Sequence, residues 1–515
     1  MEKSNMQAII AVIPIIIILV LMVGYRWGAA RAGSAGYLSA FLIAFFFFGA
    51  NIKVLVLAHT RAILLSFDVL LIVWSAFLLY QVADEAGAIK TIGRALPYLT
   101  NDKGMQAILI GWVFASFLQG AGGFGVPVAV TAPLLIGLGF NPIAAVAIPS
   151  IGHGWAVNFG SLGSAFNALL STTNMNASDL SPIAAIFLIV AGLLTGLIVS
   201  HAADGWRGVK RLFFKAIIIG LVMGGTQYLI AVAGMWNIAA FGGGLAGLII
   251  SFPLAQWGEE KKDSSIPKLA LRPLLIALTA YGILILLTII ILLIPTIKDL
   301  LGKPVIQVSF PQITTDLGYT TIAGTNRPIH IFTHAGAILV YASLISYMVY
   351  KRAGLYQKGA ASRIGKNTFK SVMSSSLSIV EMVAMAMIMQ LSGMTESIAL
   401  GLASSVGVAY PIIAPWIGAL GAIMTGSNTN SNVIFALLQM RTAELLKYSI
   451  PVILASQTIG AGLASVLAPT KVVVGASTAG MVGREGEIMR ALFGYVTFLL
   501  ITISTLAAIA IWIWK

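Results

Sequence analysis

The chain reads as an all-α polytopic membrane protein of about 12–14 transmembrane helices, in two structurally related halves that each contain a re-entrant hairpin or broken helix. Three observations predict it. Only 9% of the 515 residues are Asp, Glu, Lys or Arg while 58% are apolar; an ordinary soluble domain is roughly one quarter charged, so too little charge is present to cover a water-facing surface. Apolar runs of spanning length recur from one end of the chain to the other. Two of those runs are interrupted by glycine, proline and amide residues where a simple span would be continuous. Soluble enzymes and nucleic-acid binders are all but excluded, and the net charge of +14 is expected in loops that face anionic lipid on the cytoplasmic side. With no cysteine in the chain, disulfides, thiolate nucleophiles, iron–sulfur clusters and thiolate zinc sites drop out.

Taken in order, Gln7–Tyr25 is long enough to span and lacks a small-residue cleavage pattern, so it reads as a retained helix rather than a removed signal. Tyr37–Ala50 and Ala62–Val82 follow as ordinary spans. The next runs, Met105–Leu118, Val126–Phe140, Ile143–Leu170, Pro182–Ser200, Ala216–Gly234 and Ile238–Ala255, complete an N-terminal half over 1–255, interrupted near 117–164. A loop at 256–272 leads into a C-terminal half over 273–515, interrupted near 424–465. Its spans are Leu274–Pro295, Ile331–Tyr350, Val372–Leu391, Ile398–Ile423, Val433–Met440, Ile450–Leu467 and Ala491–Trp514. Arg207, Lys210, Arg211 and Lys215 mark one loop as cytoplasmic, and Lys351, Arg352, Lys358, Arg363, Lys366 and Lys370 mark another. Counting crossings puts 256–272 with them. Thr296–His330 and Ser171–Ser181 fall on the opposite face, and neither looks like a folded domain. Arg26 and Arg31 oppose Lys53 and Arg61 in this count, which leaves the side of the N-terminus open.

The interruptions carry the chemistry. The first runs Phe117-Leu118-Gln119-Gly120-Ala121-Gly122-Gly123-Phe124-Gly125-Val126-Pro127, and the second Met424-Thr425-Gly426-Ser427-Asn428-Thr429-Asn430-Ser431-Asn432. Non-helical backbone at membrane depth is tolerated only inside protein or along a wet cavity, and interruptions at corresponding places in two halves point to a transporter's substrate site. Each is followed by an Ile-Pro step, Ile148-Pro149 and Ile450-Pro451, and then by a second small polar stretch, with His153, Asn158 and Ser161 in one half and Ser456, Gln457 and Thr458 in the other. A half-helix starting after Gly125 or Asn432 presents unpaired N–H groups and a positive dipole end, which suits a small anion. The candidate substrate-binding residues are therefore Gln119, Gly120, Gly122, Gly123, Gly125, His153, Asn158, Ser427, Asn428, Thr429, Asn430, Asn432 and Gln457. The competing reading is that these small residues simply let helices pack closely.

Charge inside a span is costly, so Glu381 and Asp68 are candidates for proton coupling, with Arg61 two turns earlier placed to neutralise Asp68. Lys53 reads as a snorkelling interface residue. Gly120–Gly125 and Gly242–Gly247 both fit G-x-G-x-x-G, but neither follows a strand in a βαβ unit. With no Walker A, H-E-x-x-H or G-x-S-x-G sequence in the chain, the expectation is a gradient-driven carrier, not an enzyme, with no cofactor and no metal ion.

Phe117–Pro142, Asp204–Lys210 and Leu420–Leu438, with Met481-Val482-Gly483-Arg484-Glu485, resemble the lactate permease family along nearly the whole chain. That resemblance implies proton-coupled import of L-lactate, and also of D-lactate or glycolate, across the plasma membrane. The partners it implies are a small carboxylate anion, protons and the lipid bilayer, with no nucleic acid; a homodimer is compatible with it and undecided by sequence. Where the family reads FLEGAAGFG this chain has Gln119, and where it reads TGSDTSSN it has Asn428, so both hairpin carboxylates have become amides that cannot carry a proton. Asp68 and Glu381 stand where the family has uncharged residues, which suggests that proton carriage has moved to them. Gly152-His153-Gly154-Trp155 replaces an Asn-Thr-Ala-Pro-like stretch. A uniporter or a carrier of another anion is the alternative. Ser427-Asn428-Thr429 also resembles the tips of sodium-coupled dicarboxylate carriers, and a channel or scaffold is the rival from another class.

Overall fold

Apolar runs at these lengths become helices because a chain in lipid must satisfy its own backbone N–H and C=O groups. In the computed structural model, which describes residues 2–25, 27–123, 125–257 and 271–513, nine helices among the described residues are long and apolar enough to cross a membrane. The chain is a predominantly helical, multi-pass membrane protein. The expected loop 256–272 lies almost wholly outside the described residues.

One of those nine segments, Ala177–Gln256, is not a single rod. It turns at Asp204–Gly205, where Gly205 takes φ 59°, and again at Gly234, φ 82°. Ile189 packs on Gly224, Leu193 on Gly220 and Ser200 on Gly208, a descending series that only antiparallel legs produce. The second turn brings Gly243 and Gly247 back against Met223 in the same manner.

The helices that surround the first interruption approach closely through glycine. A methyl group on Gly120 would lie 2.5 Å from the Phe241 Cα, and one on Gly244 would lie 2.6 Å from the Phe117 Cα. The Gly242–Gly247 motif is thus a packing surface, as small-residue stripes in membrane helices usually are.

The segment 302–334 departs from expectation. Within what reads as a polar loop with no folded domain, it forms a β-hairpin of nested antiparallel pairs, Val305↔His330, Ser309↔Thr325 and Ile313↔Thr321. Its arms are rich in β-branched residues, which favour a pleated ribbon. Phe310 and Ile329 turn inward and are buried. The tip is tied down by Asn51, whose Nδ2 donates to Asp316 Oδ1 at 2.9 Å while its Oδ1 caps the Ile52–Glu85 helix by accepting from Val54 N at 3.1 Å. Asp316 N donates to Gly49 O at 2.8 Å.

That helix orients the molecule. Its 34 residues run roughly 50 Å, from the hairpin tip to Glu85, which accepts from Arg363 Nη2 at 2.6 Å. The basic loop and the hairpin are therefore at opposite ends, as the charge count expects. Ala29–Phe47 ends beside Gly49 at the hairpin end, so Arg31 begins at the basic end while Lys53 and Arg61 sit toward the other.

Close packing yields a direct test. Gly244→Ala forces a methyl into the Phe117 backbone, and overpacking of this kind costs about 1–3 kcal/mol; Gly225→Ala, which meets nothing within 4 Å, is the matched control. Thermal unfolding of the detergent-purified protein should show a lower Tm for Gly244→Ala and an unchanged or higher one for Gly225→Ala.

Candidate functional site

Several helices stop and restart inside the bundle. Ala115–Ala121 ends at Gly122; Gly123 and Gly125 take φ 63° and 87°, the left-handed region where glycine carries no Cβ penalty; and a new helix begins at Val126. Gly160–Thr173 is broken at Ser161, Leu162 and Gly163, all with positive φ. Tyr410–Thr425 ends at Gly426, φ 72°, and Asn428–Leu446 follows. Ser465–Leu467 is a tight turn before Pro469–Thr478.

Two details correct the sequence reading. The second polar half-helix starts at Asn428, not after Asn432, because Ser427 is its N-cap, with Oγ accepting from Asn430 N at 3.3 Å. The asparagines therefore occupy the first turn instead of an extended tip. The two Ile-Pro steps are also not equivalent: Pro149 lies within Pro142–Gly154, whereas Ile450-Pro451 opens Ile450–Ala464. Pro142 holds the helix-start place in the first half.

The broken ends converge. A small cavity of about 30 Å³ is lined by Gln119, Ser161 and Ser164 from one side and by Ser427, Asn428 and Thr429 from the other. Beside it, Thr458 Oγ1 donates to Asn158 Oδ1 at 2.6 Å and accepts from Asn432 Nδ2 at 2.9 Å. Gln457 Nε2 donates to Asn432 Oδ1 at 3.1 Å. The Thr458–Asn158 bond joins residues 300 apart in sequence. Several polar atoms here, Gln119 Oε1, Asn158 Nδ2, Asn428 Nδ2, Asn430 Oδ1 and Gln457 Oε1, are buried without a protein partner. Such groups are rare in native structures and concentrate where ligand or water completes them. A 30 Å³ space admits water but not a three-carbon acid, so a larger guest requires the tips to part.

The sequence reading missed the cation of the site. Lys471, on the short Pro469–Thr478 helix, lines the same cavity, and its Nζ donates to Ser465 Oγ at 2.8 Å. The available signal was a basic residue directly after the second polar stretch, in Pro469-Thr470-Lys471.

Other expected residues are dispersed. Gly120 packs on Phe241 and Gly122 on the Tyr80 ring, while Gly123 lies over Ser161. His153 is buried, its Nδ1 2.6 Å from Pro149 O, and does not line the cavity. Glu381 faces the Ala29–Phe47 helix, where Ser34 Oγ donates to Oε1 at 2.5 Å. Its helix touches the tips one turn earlier, through Ser378, which accepts from Asn430 Nδ2 at 2.9 Å. Asp68 lies under the hairpin. Its partner is not Arg61, which stacks on Phe310 with its guanidinium carbon 4.7 Å from the ring centre. Instead His334 Nε2 sits 2.9 Å from Oδ1, and Asn167 and Ser171 both donate to Oδ2. His334 is 266 residues away, beyond the reach of any local pattern.

Helices that cross a membrane and break around a shared polar cavity define a transporter, not an enzyme. The model of the family described as L-lactate permease matches residues 7–514, and the chain belongs to that family. Similar proteins include the glycolate permease GlcA of Escherichia coli strain K12, 26% identical over 95% of this chain and 93% of that one. An L-lactate permease of Streptococcus iniae is 28% identical over 85% and 91%. Among solved structures, the YdaH transporter of Alcanivorax borkumensis covers 86% of this chain and 85% of its own at 17% identity and a TM-score of 0.47. MtrF of Neisseria gonorrhoeae covers 92% and 84% at 17% identity and a TM-score of 0.46.

Thr458→Val keeps the shape but leaves Asn158 Oδ1 without its donor. An unsatisfied buried group costs about 1–3 kcal/mol, so the purified variant should unfold at lower temperature than the parent, and a Thr458→Ser variant, which restores the hydroxyl, should recover most of the difference.

Proposed function

We propose that this protein imports a small 2-hydroxymonocarboxylate, L-lactate, D-lactate or glycolate, together with protons across the cell membrane. The observation that carries the reading is Lys471 at a cavity toward which the N-terminal turns of two half-helices, at Ser161–Ser164 and Ser427–Asn430, both point. A carboxylate removed from water loses several kcal/mol of solvation unless opposite charge and donors replace it. An ammonium group and helix N-termini supply both. The amides of Gln119 and Asn428 fit the 2-hydroxyl, since either can donate or accept. The names of the related lactate and glycolate permeases agree with this size and charge.

For the proton, Glu381 and Asp68 remain the proposed carriers. Glu381 has one oxygen held by Ser34, and the other, Oε2, is buried with no partner among the described residues. An intramembrane carboxyl set apart in this way is a functional candidate by default. Asp68 reaches the tips through the helix that carries Asn167 and Ser164.

Purified protein in proteoliposomes, given labelled lactate, glycolate or pyruvate, should accumulate a 2-hydroxyacid when the interior is made alkaline. Accumulation driven only by a sodium gradient would replace the proton reading. Glu381→Gln should abolish uphill accumulation and spare counterflow exchange; unchanged pH-driven uptake in that variant removes Glu381 from the mechanism. Lys471→Gln should raise KM about tenfold or more, the scale expected when a buried charge loses its partner, and an unchanged KM would take Lys471 out of the site.

A further inference from the structure

A second cavity, of about 320 Å³, opens beneath the β-hairpin. Its walls combine the first half of the Ile52–Glu85 helix, the end of Gly160–Thr173 and the hairpin arms. Arg61 and Arg327 both line it. Arg327 lies with its guanidinium carbon 5.8 Å from the Trp236 ring centre and donates from Nη1 to Asn167 Oδ1 at 3.2 Å. Asp68 forms part of the floor, but both of its oxygens are engaged by His334, Asn167 and Ser171. Arg61 has no anionic partner among the described residues, and its Nε is buried without a hydrogen bond. Thr172 Oγ1 and Thr321 Oγ1, which belong to the same lining, are likewise buried and unpaired.

An unpaired guanidinium near membrane depth is expensive, and this end of the molecule is the one that loop charge is expected to avoid. We propose that the hairpin cavity is a loading site for the transported anion, in which Arg61, backed by Arg327, captures a small free monocarboxylate before it reaches the tips. This inference rests on the transport reading above. The guanidinium fork matches a carboxylate in two parallel hydrogen bonds, and the threonine hydroxyls add donors. Polar side chains lead inward: Ser171, Asn167 and Ser164 recur at helical spacing on one half-helix, from this cavity to the tip cavity, a rise of roughly 10 Å.

The experiment uses the full chain in proteoliposomes with labelled lactate. Arg61→Gln should raise KM at least tenfold for uptake from the hairpin side, leave the maximal rate within twofold, and leave KM from the other side unchanged; Arg61→Lys should recover part of the loss. Because the chain contains no cysteine, Ala323→Cys, on the exposed hairpin wall of the cavity, gives a single target for a membrane-impermeant anionic thiosulfonate. Modification should block uptake, and excess lactate should slow it at least threefold while equimolar inorganic phosphate does not. An unchanged KM in Arg61→Gln, an equal rise on both sides, or labelling that lactate does not slow or that phosphate slows equally would overturn the loading site alone. No carboxylate flux in the unmodified protein would overturn the transport reading and this inference together.

Discussion

Backbone polarity in a medium without water is the constraint on which the rest depends. Each residue that leaves helical geometry inside the bilayer exposes N–H or C=O groups that lipid cannot satisfy. This chain does so at Gly122, Gly123 and Gly125, at Ser161–Gly163, at Gly426–Ser427 and at Ser465–Ala468, and it does so where other helices enclose it. Gln119, Ser161, Asn428 and Ser465 are all buried. Three of the breaks are grouped, with Gln119, Ser161, Gly426 and Ser427 lining one cavity. What would be a defect at a lipid-facing position becomes a shared polar interior.

That interior is held together by side chains far apart in sequence. Thr458 joins Asn158 and Asn432, and Asn432 also donates to Ala165 O at 2.8 Å. Amide and hydroxyl groups supply both donors and acceptors, so such a network can close on itself without a net charge. Lys471 is the exception among the side chains that line the cavity, and in the proposed function its charge is what favours an anionic guest.

The two ends of the molecule are built differently. At the basic end, charged groups pair at the surface, as Arg363 does with Glu85 and Arg211 with Asp102 and Asp204. Exposed pairs of this kind add little stability and chiefly set orientation. At the other end a hairpin is anchored by Asn51 and Gly49 over a cavity lined by Arg61, Arg327 and Asp68 in unequal degrees of pairing, with His334 engaging Asp68. Asp68 is thus part of the floor of that cavity, while Glu381 faces a neighbouring helix, and the two carboxyls occupy separate settings along the bundle.

Composition and periodicity by themselves determined the class of the molecule: the apolar runs could only be helices in lipid, the basic loops marked one face, and the glycine and asparagine interruptions located the polar interior. Those properties are local, and a short stretch of chain carries them. Tertiary structure alone decided that Gly120 packs on Phe241, that Arg61 stacks on Phe310 while His334 takes Asp68, that Glu381 turns to Ser34, and that Lys471 joins the cavity. Each of these depends on which helix lies beside which, and the loops that separate them carry no record of that pairing. The hairpin belongs to the same group, since its arms gain stability from pairing across the turn and from the helix cap beneath its tip, contacts that become visible only when the chain is folded.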